Sequence, residues 1–372
     1  MRVALVSDWL VTYGGAEHVL RSLLDVFPHA PLFTTVARRG SLGPLDQADI
    51  RTSRLQHRFR VIGQHQILLP AMPRAVEDLD VRGFDVLISS SHAVAKGIVP
   101  GSRTVHICYC HTPMRYAWEM EEKYLDDFRV PRWLRPLVHR KLRQLRRWDL
   151  TTAQRVDHFI ANSKTTQERI GRTYARDSIV IPPPVDDRFF EVLISPLSEV
   201  PSPKSYLLAV GRLVPYKRFD LLIETANTLK LPLWIAGRGQ DETRLRRMAG
   251  PTVHFLGFVP DAELPVLYAS ANAVLFPQEE DAGIVLLEAI ATGSPVIAYR
   301  AGGAIDALQE GINGCFFDEQ TLPSLKDALE RFRHHHFDRT VIRNNAQQYS
   351  RQTFQDAIRS TVHHAWEEFQ SR

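Results

Sequence analysis

Twelve short apolar runs, each bounded by turn residues and most followed by a helical pattern, constrain this 372-residue chain more than any other feature. In the first half they are Val3–Val6, Leu32–Thr35, Val86–Ser89, Val105–Tyr109, His158–Ala161 and Ile179–Ile181. In the second half they are Tyr206–Val210, Leu233–Ala236, Val253–Leu256, Ala273–Phe276, Val296–Tyr299 and Cys315–Phe317. Runs this short and this apolar suit strands buried on both faces, and strands alternating with helices predict two doubly wound parallel sheets of an α/β protein. Neither a 20–50-residue repeat nor a low-complexity tract interrupts them.

The proline distribution divides the chain. Pro182, Pro183, Pro184, Pro196, Pro201 and Pro203 fall close together, and such density continues neither a helix nor a central strand. The expected organisation is a first domain over 1–184, a proline-rich linker over 185–204, a second domain over 205–352 and a C-terminal helix over 353–372. That helix repeats apolar residues at Phe354, Ile358, Val362, Ala365, Trp366 and Phe369, needs a partner face, and is expected to pack back on the first domain.

Charge is concentrated rather than spread. Residues 129–148 hold Arg129, Arg132, Arg135, Arg140, Lys141, Arg143, Arg146 and Arg147 with no acid, so setting them aside turns the formal +4 into −4. Leu134, Val138, Leu142, Leu145 and Trp148 recur at helical spacing through the same stretch, beside Trp133. Such a helix suits an anionic lipid surface, with Arg140, Lys141, Arg143, Arg146 and Arg147 facing lipid or acceptor. It equally suits packing of its stripe on its own domain with solubilising cations outside. The N-terminal apolar run is too short for a signal-peptide core, and no run approaches the ~20 residues of a membrane span. The expectation is a cytoplasmic protein, peripheral at most on the inner face of the membrane. Cys108, Cys110 and Cys315 are too few for a disulfide framework. Cys108, Cys110 and His111 are set aside as metal ligands because successive strand residues face opposite ways and no second cluster completes a shell. Asp78 and Asp80 read as surface carboxylates.

The residues after the strands carry the chemistry, since open parallel sheets bind ligands at strand carboxyl ends. Gly14-Gly15 precedes a helical pattern, where bare amides either cradle an anion or merely turn the chain. Gly211-Arg212 leaves the strand Tyr206–Val210 and Lys217 follows, a fork and a point charge suited to a diphosphate; the alternative is a pair of solvated loop charges at Lys217-Arg218. From Gly283 to Gly293 the sole charge is Glu288, in a helix apolar all round and therefore expected to be buried. A buried carboxylate needs donors, which vicinal sugar hydroxyls or a structural arginine supply. Glu280 lies just before that helix, where the amides of Gly283 and Ile284 and the dipole favour polar ligands. His111 stands just past the strand Val105–Tyr109. Gly302-Gly303 either meets ligand or turns the chain, and Gly237-Arg238-Gly239 lacks the third glycine of an NAD fingerprint.

Together Gly211-Arg212 with Lys217, the Glu280 and Glu288 pair ending in Leu-Leu-Glu-Ala, the Gly14-Gly15 loop and Ala161-Asn162-Ser163 resemble glycosyltransferase family 4 across nearly the whole chain. The stretch Cys110-His111-Thr112-Pro113-Met114-Arg115-Tyr116-Ala117-Trp118 is similar to the subset that transfers mannose in bacterial surface polysaccharide assembly. The resemblance implies the GT-B fold, two Rossmann-like doubly wound parallel-sheet domains facing across a cleft, and retaining transfer. It assigns Arg212 and Lys217 to the donor diphosphate, Glu288 to the ribose, and Glu280 with the amides near Gly283 and Ile284 to the donor sugar. It brings Gly14 and Gly15 to the phosphates from the opposite domain and His111 to the sugar near its anomeric carbon. No metal or other cofactor is then required, because Arg212 and Lys217 supply the positive charge. The implied partners are a nucleotide sugar, with GDP-mannose before UDP-sugars, a lipid-linked saccharide acceptor and an anionic membrane surface, not nucleic acid. The family often has Gly-Phe-Gly after the first glutamate; here Asp281-Ala282-Gly283 stands. A nucleotide-sugar epimerase of the same architecture is the rival enzyme, and a nucleic-acid binder resting on residues 129–148 is the rival outside enzymology.

Overall fold

The computed structural model describes residues 1–118, 121, 131–192 and 205–371. The chain divides into two compact units, Met1–Pro182 with Phe354–Arg372, and Pro183–Thr353. In the first, seven strands form one sheet: β1 Val3–Ser7, β2 Leu32–Thr34, β3 Ile50–Thr52, β4 Val86–Ser91, β5 Val105–Cys110, β6 His158–Ala161 and β7 Ser178–Val180. Their order is β3-β2-β1-β4-β5-β6-β7, and every pairing is parallel. The second unit holds β8 Leu207–Val210, β9 Leu233–Ala236, β10 Val253–Gly257, β11 Ala273–Phe276, β12 Val296–Tyr299 and β13 Gly314–Phe317. They are ordered β10-β9-β8-β11-β12-β13, again all parallel.

Two doubly wound sheets are therefore present, with helices on both faces. The side-chain period of two explains how each strand serves two cores. In β1, Val3 and Leu5 enter one core of the first unit while Ala4 and Val6 enter the other. In β8, Leu208 and its neighbours Leu207 and Ala209 divide in the same way. The strand Ile50–Thr52 has no counterpart among the twelve apolar runs. It is a three-residue edge strand centred on an exposed Arg51, so it has little apolar surface to announce it.

The C-terminal helix Arg351–Gln370 buries Phe354, Ile358, Val362 and Ala365 in the first unit's core, with Trp366 and Phe369 partly covered. Within the proline-rich segment, Val185 and Phe189 are buried in the second unit's core, and Val185 N–H donates to the Tyr349 carbonyl at 2.8 Å. Residues 193–204, including Pro196, Pro201 and Pro203, lie outside the described residues, as does Arg129.

The basic stretch is a helix, Arg135–Ala153. Its stripe is turned inward: Leu145 and Trp148 pack against a core of the first unit, and Trp148 Nε1–H donates to Glu77 at 3.0 Å. Arg146 does not belong to the outer face. It donates to the Ala117 carbonyl and pairs with Glu121, because its position on the helix lies toward the packed side. Arg140, Lys141, Arg143 and Arg147 are exposed, with Trp133 80% and Leu137 54% accessible. Among the described residues no helix is long and apolar enough to cross a membrane.

Candidate active site

Each sheet reverses its winding once, and such a switch point is where open parallel sheets take ligands. In the second unit the reversal lies between β8 and β11. Gly211, just past β8, adopts φ +148, and a Cβ there would stand 3.0 Å from Lys217 Nζ. The chain then makes a short turn, Pro215–Lys217, and Arg218 enters the helix Phe219–Leu229 in a left-handed conformation at φ +54. A non-glycine residue there stores on the order of 1 kcal/mol of strain. Arg218 is held by Gln320, whose side-chain amide also donates to the Pro277 carbonyl at 2.7 Å, so one glutamine ties the loop after β8 to the loop after β11.

Lys217 is the result of that geometry. Its ammonium lies 2.8 Å from Glu280 Oε1, with the two side chains 10% and 19% exposed. The pair bridges the switch point. Arg212, by contrast, is exposed, and its guanidinium makes no hydrogen bond or ion pair among the described residues; Arg238, at the end of neighbouring β9, is in the same condition.

The Glu280 loop is shaped from behind by glycines. Gly303 N–H donates to the Glu280 carbonyl at 2.8 Å, and a Cβ on Gly302 would come within 2.2 Å of that same oxygen. Gly302-Gly303 thus supports the loop by close backbone approach. Gly237 and Gly239 do the same for Gly211 and Leu213. Gly283 sits at φ +68 and starts the helix Ile284–Ala291 without a side-chain cap, leaving the first amides of that helix uncapped by a side chain.

Glu288 differs from expectation. Ile284, Val285 and Glu288 are half-buried, one open face on a helix otherwise enclosed, so the carboxylate is reached from one side. No arginine lies within ion-pair distance among the described residues, and its partner is Tyr268, whose hydroxyl donates to Glu288 Oε2 at 3.1 Å. Burial pushes its pKa up to about 8, opposed by the Tyr268 hydrogen bond, assisted by Asp261 and opposed by Arg188. The native state therefore holds a proton that the unfolded chain gives up near pH 4.5, and stability falls as pH rises from there through about 8. We expect Glu288→Gln to melt with the wild type near pH 4.5. Above pH 8 it should gain on the order of 2 kcal/mol, allowing for partial exposure; a constant difference across that range in thermal unfolding would contradict this.

In the first unit, Gly14 is the extended N-cap of the helix Gly15–Val26, and Gly15 is exposed as its first residue. No side-chain cap hydrogen bond is made to this helix; Glu17 is the single acid of its first turn, and burial raises its pKa. His111 follows β5, its Nε2 2.8 Å from Ser90 Oγ. Burial, aided by the charge of His92, pushes His111 down to about 3, so it is neutral and fitted to hydrogen bonding rather than acid catalysis. The Asn162-Ser163 pair serves the fold, since Ser163 Oγ caps the helix Lys164–Tyr174 by accepting from Thr166 N–H at 3.0 Å. Asp80 forks with Arg82 at 2.7 Å on the surface. Cys108 and Cys110 are buried against the inner face of the same helix.

Sequence reasoning passed over Asp8 and His92, at the ends of β1 and β4. Asp8 is fully buried and lies 2.9 Å from His92 Nδ1. An acid directly after a buried strand was the available signal.

Two all-parallel, doubly wound units, with a charged pair closing the switch point of the second, define a class of α/β protein that holds ligands at strand carboxyl ends. Comparison with known proteins narrows it. Residues 13–189 match Glycosyltransferase Family 4 and residues 194–349 match Glycosyl transferases group 1. A GDP-mannose-dependent alpha-mannosyltransferase of Corynebacterium glutamicum is 35% identical over 131 residues, 34% of this chain and 32% of that protein. The GDP-mannose-dependent alpha-(1-6)-phosphatidylinositol monomannoside mannosyltransferase of Mycolicibacterium smegmatis is 33% identical over 33% of this chain and 37% of its own. These matches thus span about a third of each curated relative's length. Among solved structures, Anabaena HepE in complex with UDP superposes with a TM-score of 0.67 at 18% identity over 97% of this chain and 99% of that one, which speaks to the fold. The chain belongs to the family 4-like glycosyltransferases of the GT-B fold.

Proposed function

We propose that this protein is a retaining hexosyltransferase that moves mannose from GDP-mannose to a lipid-linked saccharide in surface polysaccharide assembly. The observation that carries the reading is the Lys217–Glu280 pair across the β8/β11 switch point, with the unpartnered Arg212 on the same strand end. In this reading Arg212 and Lys217 neutralise the diphosphate as the bond between the anomeric carbon and the phosphate oxygen breaks. The acceptor oxygen bonds to the anomeric carbon on the face the diphosphate leaves, and the departing phosphate takes the acceptor's proton. Glu280 and the amides of Gly283 and Ile284 hold donor-sugar hydroxyls, and the open side of Glu288 takes the ribose diol. Neutral His111 hydrogen-bonds the donor sugar, and Gly14 and Gly15 offer their backbone to phosphate oxygens. The mannosyltransferase names of the relatives support GDP-mannose, while Asp281-Ala282-Gly283 in the sugar loop makes a UDP-sugar the second donor to try.

The decisive experiment incubates the protein with GDP-mannose, then with UDP-sugars, with and without a lipid-linked saccharide, and reads the product's anomeric configuration by NMR. Retained α-mannoside formed only with acceptor supports the reading; an isomerised nucleotide sugar formed from donor alone would establish the epimerase instead.

The exposed Arg140, Lys141, Arg143 and Arg147 with Trp133 and Leu137 suit an anionic bilayer, and we place the protein as peripheral on the inner face of the cytoplasmic membrane. Since each cation near such a surface contributes about 1 kcal/mol, converting all four to alanine should weaken sedimentation with anionic liposomes at least tenfold. Binding that ignores both salt and these substitutions would remove the membrane from the proposal.

A further inference from the structure

The first unit reverses its winding between β1 and β4: the chain runs from β1 through β2 to β3 on one side and from β4 to β7 on the other. That is the position at which a parallel sheet of this kind takes a ligand. Asp8 follows β1 and His92 follows β4, so the two residues face each other across the gap much as Lys217 and Glu280 do in the second sheet.

The Asp8 site is densely hydrogen-bonded. Its carboxylate is fully buried, and it accepts from the backbone N–H groups of His92, Ala93, Val94 and Ala95 at 2.7, 3.1, 2.6 and 2.6 Å, and from Ser91 Oγ at 3.2 Å. Burial raises its pKa, but the His92 charge and these hydrogen bonds outweigh burial and hold it at about 2. A buried carboxylate so thoroughly satisfied stays ionised, and four amide dipoles already offset much of its charge.

What this anchor fixes is His92. Nδ1 is committed to Asp8, and Trp9 packs edge-on against the imidazole with centroids 4.7 Å apart and planes at 87°. Nε2 has no partner among the described residues, and the side chain is 35% exposed. A histidine kept for structure looks different, and the same sheet supplies one. His106 is fully buried and places Nε2 2.9 Å from Ser89 Oγ and Nδ1 3.2 Å from the Arg155 carbonyl, so both nitrogens are used inside the protein. His92 has one nitrogen oriented by a carboxylate and the other left for something outside the fold.

We propose that His92, oriented by Asp8, is a substrate-binding residue that donates its Nε2–H to a phosphate oxygen of the substrate. Asp8 is the positioning residue. The substrate class rests on the glycosyltransferase reading; the contact is additional to the residues named there. Phosphate is favoured over a neutral hydroxyl because an imidazolium backed by a carboxylate is a charge-assisted donor. Charged and titratable groups facing His92 are Asp8 on the loop after β1, Glu17 on the first turn of the helix Gly15–Val26, His65 beside Trp9, and His111 after β5 with its ring 6.3 Å away. Burial pushes His65 to about 4 and His111 to about 3, leaving both neutral above pH 5. Burial also pulls His92 down, but Asp8 and Glu17 together hold it above the ordinary histidine value. Of these three rings, His92 is thus the one whose carboxylate neighbours favour the protonated form.

The test compares wild type with His92→Gln by calorimetry from pH 6 to pH 9, using GDP as the donor phosphate and a prenyl diphosphate in mixed micelles as the acceptor phosphate. Taking the ratio of the two proteins' Kd values removes the ligand's own titration. We expect His92→Gln to weaken one ligand about tenfold at pH 6, with the ratio falling toward one as pH is raised and His92 loses its proton; the ligand affected identifies which phosphate it contacts. Unchanged affinity for both ligands, or a loss that does not vary with pH, overturns the proposal. Should His92→Gln not fold, imidazole nitrogen NMR of the wild type titrated with inorganic pyrophosphate decides it: the Nε2 resonance of His92 must move, and a static resonance refutes the contact. The NMR readout also separates the two claims, since a wild type that transfers no sugar sinks the enzymatic reading whether or not His92 responds to pyrophosphate.

Discussion

Replacing Lys217 with alanine is expected to lower the sugar-transfer rate by on the order of 10²–10³, the cost of deleting one preorganised charge aimed where negative charge develops. The size of the effect follows from the surroundings. Lys217 is held nearly out of solvent by the turn Pro215–Lys217 and by Glu280 at 2.8 Å, so water cannot easily take its place at the phosphate contact proposed for it. The substitution also leaves Glu280 without its cation, and a modest loss of melting temperature should accompany the loss of rate. Lys217→Arg separates the two effects. It keeps the charge beside Glu280 but brings a larger planar head to a loop where a Cβ on Gly211 would already stand 3.0 Å from the ammonium, so stability should recover more than turnover. A folded Lys217→Ala protein with near-normal kcat would exclude Lys217 from the chemistry.

The largest effect on stability is expected at Lys96. Its ammonium is buried and paired with the buried Asp149, which also accepts from Trp118 Nε1 at 2.8 Å and the Tyr174 hydroxyl at 2.9 Å. Lys96 also lies over the Trp148 and Tyr174 rings, 5.4 and 5.3 Å from their centroids, so its removal takes cation–π contacts with it. Removing one partner of a buried pair strands the other, and Lys96→Met should cost about 3–5 kcal/mol. At roughly 2–4 °C per kcal/mol for a unit of this size, that is a fall of about 10 °C in Tm. The Lys96→Met/Asp149→Asn double variant should recover part of the loss, because the coupling between contacting charges is not additive. A single variant melting within a degree of wild type would show that the pair contributes nothing net. The same network fixes the basic helix Arg135–Ala153 through Asp149, so liposome binding should weaken alongside stability.

Particular residues show how far the sequence could be read. Strands such as His158–Ala161 and Leu233–Ala236 were legible to the residue, because a strand paired on both sides inside a parallel sheet is mostly buried and therefore mostly apolar. Ile50–Thr52 was not, because an edge strand owes its place to backbone pairing with β2. The charges at strand ends were legible as candidates because polar residues directly after buried strands stand out. Their pairings were not: nothing local to Lys217 names Glu280, and nothing local to Asp8 names the loop after β4. Glu288 was expected to be enclosed on the strength of its apolar neighbours, yet one helical face remains open, since enclosure depends on what packs against each side. Arg146 shows the converse, a surface-type residue drawn inward by Glu121 and the Ala117 carbonyl.

Local pattern was enough to establish the two parallel sheets, the family, and which residue types stand at strand ends, because apolar runs, prolines and glycines act through short-range sterics and burial that any few residues express. Packing in three dimensions was needed to determine which charges meet, which nitrogen of His92 is left free, and which glycines hold the Glu280 loop. Those outcomes depend on strand order, and strand order joins residues tens of positions apart in the chain.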